Sequence, residues 1–80
     1  MSSLHRADRV LTHDIYDPAS IARAIEDYRP HLTVRVLKAD AHDTLISLAV
    51  LSGEEAPEQV ISEFLNYALD LSVRAILGAA

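Results

Sequence analysis

Four histidines are the residues of this sequence whose type best suits metal binding or proton transfer. They are His5, His13, His31 and His42. Zinc ligands on a helix usually stand four residues apart, so that both point to the same side. None of the histidines has this spacing, and none falls within a predicted helix. We therefore predict surface histidines, no metal site and no cofactor, and only His13, beside Asp14 on a predicted strand, invites a structural role.

Paired carboxylates are the second group with catalytic potential. The pairs are Glu26 with Asp27, Glu54 with Glu55, and Glu63 with Asp70. General acid–base catalysis needs an enclosed site in which the environment moves the two pKa values apart. Acids on a helix surface are solvated and lack such an environment. Asp70 also stands four residues before Arg74, which predicts a helix-surface ion pair worth about 0.2–0.5 kcal/mol.

Motifs for nucleophilic catalysis and phosphate binding are missing from the sequence. Neither Ser47 nor Ser62 lies in a nucleophile-elbow pattern, and two glycines are too few for a glycine-rich phosphate loop. We therefore predict that the chain is a binding or accessory module and not an enzyme. A small enzyme whose site forms between subunits, around His13 and Asp14, is the alternative.

The composition is that of one small folded domain. The chain has 80 residues, of which 50% are apolar, and it contains no cysteine, which excludes disulfides and thiolate metal sites. A net charge of −5 argues against nucleic acids and anionic membranes as partners. The sequence contains neither an apolar run long enough to span a membrane nor a targeting segment. We therefore expect a cytoplasmic protein.

The pattern along the chain predicts one domain behind a short tail. Residues 1–9 are polar and predict a flexible N-terminal tail, and residues 10–80 predict a single α+β domain. Strands are predicted at residues 10–16, 32–38 and 44–51, and a loop at residues 52–55. The third strand is apolar at nearly every position, which is typical of a central strand.

Local signals mark two helices. Asp17 can cap the first helix, Pro18 fits its first position, and Pro30 stops it. The second helix can begin at Pro57 and end at Gly78. Its predicted apolar stripe comprises Val60, Ile61, Phe64, Leu65, Ala68, Leu69, Val73, Ile76 and Leu77.

The order of elements, β-α-β-β-α, limits the topology. A right-handed crossover between the first two strands places both helices on one face of the sheet. The most apolar strand belongs in the middle, which predicts a three-stranded sheet with the order 2-3-1. This is a truncated ferredoxin-like topology that lacks the fourth strand. The outer edge of the first strand is then unpaired, and an unpaired edge invites a partner strand.

The sequence carries more apolar surface than this fold can cover. Leu37, Leu45 and Leu51 are predicted on the sheet face away from the helices, and Tyr67 and Leu71 fall outside the main stripe of the second helix. Two helices cannot cover both faces of a three-stranded sheet. The surplus predicts a homodimer or partner surface. The alternative is a small domain with a moderately apolar surface.

Two segments carry a distinctive pattern of residues. The first is IYDPASI at residues 15–21, and the second is EFLNYALD at residues 63–70, followed by Arg74. Together they resemble the HxsD-like family, whose members are small accessory proteins of His-Xaa-Ser peptide-maturation systems. The resemblance implies a non-catalytic partner of peptide-modifying enzymes, often of the radical-SAM type. It also implies that the chain binds the precursor peptide or the enzyme.

The predicted binding site combines the helix motif with the apolar sheet face. Its candidate residues are Phe64, Asn66, Tyr67, Asp70, Arg74, Leu37, Leu45 and Leu51. Asn66, Asp70 and Arg74 follow one another at four-residue spacing and predict a polar ladder, for which a solvated helix face is the alternative. The expected partners are a second copy, a peptide substrate or a peptide-modifying enzyme. The alternative function is a small dimeric structural or regulatory module unrelated to peptide maturation.

Overall fold

The computed structural model describes residues 5–51 and 56–78. The elements are β1 (His5–Thr12), α1 (Pro18–Asp27), β2 (Leu32–Ala39), β3 (Asp43–Val50) and α2 (Pro57–Gly78). This confirms the predicted order β-α-β-β-α and the α+β class. The loop predicted at residues 52–55 and the first four residues of the predicted tail lie outside the described residues.

β3 occupies the centre of a three-stranded antiparallel sheet, with β1 on one side and β2 on the other. The predicted strand order is therefore confirmed. Burial alternates strictly along β3: Thr44, Ile46, Leu48 and Val50 are buried, and the residues between them are half-buried. This period of two means that one face of the sheet packs on the core.

β1 begins and ends earlier than the sequence predicts. The strand was expected at residues 10–16 and is found at His5–Thr12, so residues 5–9 belong to the sheet and not to a flexible tail. Its register with β3 is unbroken over all 8 residues. Only Ala7 and Leu11 of this strand pack into or against the core. The segment therefore has too few apolar residues for its sequence to indicate a strand. The conformation follows from hydrogen bonding to β3.

α1 begins and ends where the local signals predict. The Asp17 carboxylate accepts hydrogen bonds from the backbone N–H and the hydroxyl of Ser20, both at 3.0 Å. Pro18 is the first helical residue, and the helix ends at Asp27, before Pro30. The cap and the two prolines therefore fix both ends of this helix without help from distant residues.

The core lies between the helix-facing side of the sheet and both helices. It consists of Leu11, Ile21, Ala24, Leu32, Ile46, Leu48, Val50, Ile61, Phe64 and Ala68. Tyr28 at the end of α1 packs edge-on against Phe64 of α2, with ring centroids 5.6 Å apart. The helices thus cover one face of the sheet and contact each other, as the topology predicts.

The last part of α2 extends beyond the core. Val73, Ile76 and Leu77 belong to the predicted apolar stripe, from which burial against the sheet would be expected, but they are exposed by 46%, 64% and 71%. The prediction is wrong for these residues because helical periodicity does not record where the neighbouring sheet ends. A helix of 22 residues is about 33 Å long, whereas a strand of 8 residues spans about 27 Å.

Ser72 is a fully buried polar residue that joins α2 to the start of α1. Its hydroxyl donates to the carbonyl of Ala68 at 2.7 Å and accepts from the backbone N–H of Asp17 at 2.9 Å. The hydroxyl therefore satisfies a donor at the N-cap residue of α1. Without it, the Asp17 N–H would lose its partner.

We expect Ser72→Ala to lower the free energy of unfolding by about 1 kcal/mol, because the part-buried N–H of Asp17 loses its acceptor. Urea denaturation followed by circular dichroism measures the change. Ser62→Ala, at an exposed position of the same helix, is the matched control and should stay within about 0.5 kcal/mol of the wild type. Equal stability of the two variants would contradict the assigned role of Ser72.

Candidate functional site

The predicted site residues of α2 fall on different sides of the helix. Phe64 is fully buried in the core and offers no surface to a partner. Asn66, Asp70 and Arg74 are exposed. The predicted ion pair is confirmed, with Asp70 Oδ2 lying 2.9 Å from Arg74 Nη2. More than half of each side chain is exposed, so the pair adds no more than about 1 kcal/mol to stability.

Tyr67 connects the two helices. Its ring packs against Tyr28 with centroids 5.4 Å apart, and its hydroxyl donates a hydrogen bond to the Asp27 carboxylate. This hydrogen bond to Asp27 raises the pKa of Tyr67, because the bond requires the phenol proton. These contacts are those of a residue that fixes α2 on α1.

The three predicted leucines of the sheet do not form a continuous apolar surface. Leu45 and Leu51 are half-buried, and Leu37 is 50% exposed. Leu37 lies at a β-bulge, where the register between β2 and β3 shifts between Val36 and Lys38. Leu37 therefore lies in an irregular part of the sheet, and Leu51 follows the end of β3, far along the strand from Leu45.

The open face, defined as the side of the sheet away from the helices, is mixed in character. The register places on it Arg6, Asp8, Val10 and Thr12 of β1, Thr33, Arg35 and Lys38 of β2, and Asp43, Leu45, Ser47 and Ala49 of β3. Charges of both signs interrupt the apolar residues. Such a face is ordinary for an antiparallel sheet that contacts water on one side. The open face is therefore less suited to a large apolar docking surface than the sequence predicts.

The two edge strands differ in regularity. The bulge between Val36 and Lys38 interrupts the pairing of β2, and bulges twist an edge away from further strands. β1 has no bulge and no proline between His5 and Thr12. The outer side of β1 therefore presents a regular row of backbone groups to a partner strand.

Alternate residues of β1 turn their backbone groups outward. A central strand shares its hydrogen bonds alternately between its two neighbours. The Leu51 N–H donates to the His31 carbonyl beside β2 at 3.2 Å, and the His13 N–H donates to the His42 carbonyl beside β1 at 2.7 Å. Combined with the register of β1 on β3, this alternation identifies the outward residues. They are Arg6, Asp8 and Val10.

The chain itself closes one end of this edge. The Thr12 carbonyl accepts hydrogen bonds from the backbone N–H groups of Ile15 at 3.1 Å and Tyr16 at 2.8 Å. Residues 13–16, which the sequence assigns to the strand, form this turn. The accessible part of the edge is therefore the part that precedes Thr12.

His13 holds the end of β1 to the turn between β2 and β3. Its Nδ1 lies 3.2 Å from the Ala41 carbonyl and its Nε2 lies 2.7 Å from Thr44 Oγ1. A carbonyl only accepts, so the neutral ring carries its proton on Nδ1 and accepts from the Thr44 hydroxyl at Nε2. Asp14 is exposed, and its N–H lies 3.4 Å from Thr12 Oγ1. These contacts give His13 the structural role that its position suggested.

One side of α2 lies beside β1, and an apolar stripe of the helix begins there. His5 and Arg9 line a shallow cleft together with Ser62 and Leu65, so this side of α2 faces β1. At helical spacing the stripe continues from Leu65 through Leu69, Val73 and Ile76. We call these four residues the α2 stripe. A strand added to the edge of β1 would bring its helix-facing side chains toward this stripe.

Arg6 and Asp8 are edge residues that sequence reasoning missed, because they were assigned to the tail. The available signal was alternation: the small Ala7 and the apolar Leu11 stand on the core side, and Arg6, Asp8 and Val10 stand on the other. Arg9 breaks this pattern, because it lies on the helix-facing side at the rim of the cleft. The segment therefore lacks a clear strand signature.

Within residues 5–51 and 56–78, no group of three or more histidine, aspartate or glutamate side chains is arranged to hold a metal ion. In the same part of the chain, no helix combines the length and the apolar character needed to cross a bilayer. Compared with protein-family models, curated proteins and solved structures, the chain matches none of them. The HxsD-like resemblance therefore stays a prediction based on its motif residues.

We expect Asp27→Asn to lower the pKa of Tyr67 toward its ordinary value of 10.0, because the variant weakens the hydrogen bond that raises this pKa and removes the negative charge beside the phenol. Carbon NMR of the ring Cζ atoms resolves each tyrosine during an alkaline titration. Because the raised pKa belongs to the folded state, the contribution of Tyr67 to stability is present below its ordinary pKa. It is lost as the pH rises through the raised value.

The matched control for this titration is Glu26→Gln. Glu26 is the acid next to Asp27 and pairs with Arg29 at 3.3 Å. Its replacement should leave the titration of Tyr67 unchanged. If Asp27→Asn also left that titration unchanged, the contact between Tyr67 and Asp27 would not exist in solution.

Proposed function

We propose that this chain is a non-catalytic binding module that receives an extended peptide along the edge of β1. The observation that carries the proposal is the unbroken register of β1 on β3, which leaves a row of outward backbone groups at Arg6, Asp8 and Val10. A peptide strand that pairs with this row gains affinity from main-chain hydrogen bonds. Its side chains then supply specificity.

The surroundings of the edge favour a particular kind of peptide. Alternate side chains of an added strand face the helices, where Leu65 is half-buried beside His5 and Arg9 of β1. The other side chains lie on the open face near Arg6 and Asp8, which are exposed charges. We therefore propose a peptide with apolar residues at every second position and polar or charged residues between them.

The proposed biological setting is peptide maturation in the cytoplasm. The motif resemblance supports it, because HxsD-like proteins are accessory proteins of such systems. In this setting the chain holds the precursor peptide for a modifying enzyme of the radical-SAM type. Asn66, Asp70 and Arg74 are exposed, and Arg74 lines a cleft with Ala19 and Arg23 of α1, so these residues offer a second surface to that enzyme.

A second candidate function is a small dimeric structural or regulatory module unrelated to peptide maturation. Val73, Ile76 and Leu77 favour it, because these apolar side chains are exposed near the end of α2. Exposed apolar residues that lie together mark interaction surfaces. Genes for peptide-modifying enzymes beside this one would favour the first function, and a neighbourhood without them would favour the second.

We expect Val10→Pro to weaken peptide binding about tenfold, since it removes an outward N–H and the hydrogen bond that this group donates. The probe is a set of synthetic peptides that cover the short precursor encoded beside this chain, titrated by calorimetry. Proline is tolerated at an edge position whose N–H faces solvent, so the fold should persist, as circular dichroism can verify.

The matched control for this experiment is Val10→Ala, which removes the same side chain but keeps the N–H. It should bind the peptides almost as well as the wild type. Equal binding by Val10→Pro and Val10→Ala would contradict pairing at this edge. If the wild type bound none of the peptides, the proposed function itself would be wrong.

A further inference from the structure

The edge of β1 is also able to pair with a second copy of itself. Two identical edge strands pair antiparallel about a twofold axis perpendicular to the sheet, which keeps the helices of both copies on the same side. Residues that stand opposite each other must then point to the same face. The twofold axis therefore passes between the two copies of one β1 residue, which stand opposite each other. Few residues of the strand can occupy this position.

Electrostatics distinguishes these registers. An axis through Asp8 or through Arg9 would set two like charges directly opposite each other, which is destabilising. An axis through Ala7 sets Arg6 of each copy opposite Asp8 of the other, and opposite charges in this position are stabilising. The pairing occurs twice, once on each side of the axis.

An axis through Val10 avoids like charges but conflicts with the turn that follows β1. That register needs the outward backbone groups of Thr12 to pair with Asp8 of the second copy. The Thr12 carbonyl already accepts from the N–H groups of Ile15 and Tyr16. The register through Ala7 uses only the accessible part of the edge.

Arg6 and Asp8 are exposed, and they lack charged neighbours on β3 within their own chain. The residue opposite Arg6 is Ala49, and the residue opposite Asp8 is Ser47. Neither charge is thus satisfied across the sheet by its own fold. A second copy supplies the missing partner for each.

We propose that two copies of this chain associate through β1 about an axis at Ala7, with Arg6 of each copy paired with Asp8 of the other. The two three-stranded sheets then form one continuous sheet, and both β1 edges are covered. Leu65, at the start of the α2 stripe, lies beside His5 and Arg9, so in both copies it flanks the junction from the same side. Because the same backbone groups are used, self-association and the binding of a peptide exclude each other.

The association is expected to depend on concentration. Among the described residues, positions 5–9 of each β1 pair in this register, a contact far smaller than the roughly 800 Å² per partner of a standard stable interface. A weak dimer of this kind would keep the edge covered in concentrated protein and would release it to a peptide. The inference concerns the edge used in the proposed function but does not depend on that function.

Sedimentation equilibrium of charge-reversed variants tests this pairing. Arg6→Asp or Asp8→Arg alone sets like charges opposite each other at both sites and should weaken dimerisation about tenfold. The double variant Arg6→Asp/Asp8→Arg restores opposite charges and should recover the wild-type dimer. Arg35→Asp, on the same open face but in β2, is the matched control and should dimerise like the wild type.

The outcomes separate this inference from other forms of association. A wild type that stays monomeric at all concentrations would overturn it, as would a double variant that fails to recover. If Arg35→Asp weakened dimerisation as much as Arg6→Asp, the cause would be net charge and not the pairing at β1. If no variant changed dimerisation, the interface would lie elsewhere, such as at the leucines of the open face. Added salt should weaken the wild-type dimer, which provides a measurement that needs no variant.

Peptide titrations of the same variants distinguish a failure of this inference from a failure of the proposed function. A monomeric Arg6→Asp variant that still binds peptide through β1 would support both. If dimerisation depended on these charges but no peptide bound, the proposed dimer would stand and only the proposed function would be wrong.

Discussion

The antiparallel ladder between β1 and β3 is the interaction on which the rest of the structure depends. β3 shares its hydrogen bonds between two neighbours, so it holds both β1 and β2 while its buried side chains meet the helices. The sheet formed by residues 5–51 has three strands, and within the described part of the chain β1 pairs with a strand on one side alone. The ladder that fixes β1 in the fold thus also orients a row of backbone groups toward a partner, and both proposals follow from this geometry.

Much of the fold could be predicted because its signals are local. The cap at Asp17 and the two prolines that bound α1 need no distant contact, and the apolar run of β3 identifies a central strand wherever its neighbours come from. The position of β1 could not be predicted in the same way. Residues 5–9 are mostly charged or polar and become a strand because β3, far along the chain, supplies their hydrogen bonds.

The candidate site was harder to predict than the fold. Helical spacing records which side chains of α2 share a face, but not which neighbour covers that face. Phe64 and Val73 both fit the predicted stripe, yet Phe64 is buried beneath α1 and Val73 is 46% exposed. Tyr67 and Ser72 likewise have partners on or just before α1 that no pattern within α2 could reveal.

Amide hydrogen exchange, followed residue by residue by NMR in dilute protein, tests the central claim that β1 is a half-paired edge. The account predicts alternating protection along the strand: slow exchange at Ala7, Arg9 and Leu11, which bond to β3, and fast exchange at Arg6, Asp8 and Val10. Arg6 and Asp8 should gain protection when the protein is concentrated, and Arg6, Asp8 and Val10 should gain it when a binding peptide is added. Uniform protection of all six amides in dilute protein, or fast exchange at all six, would contradict the account.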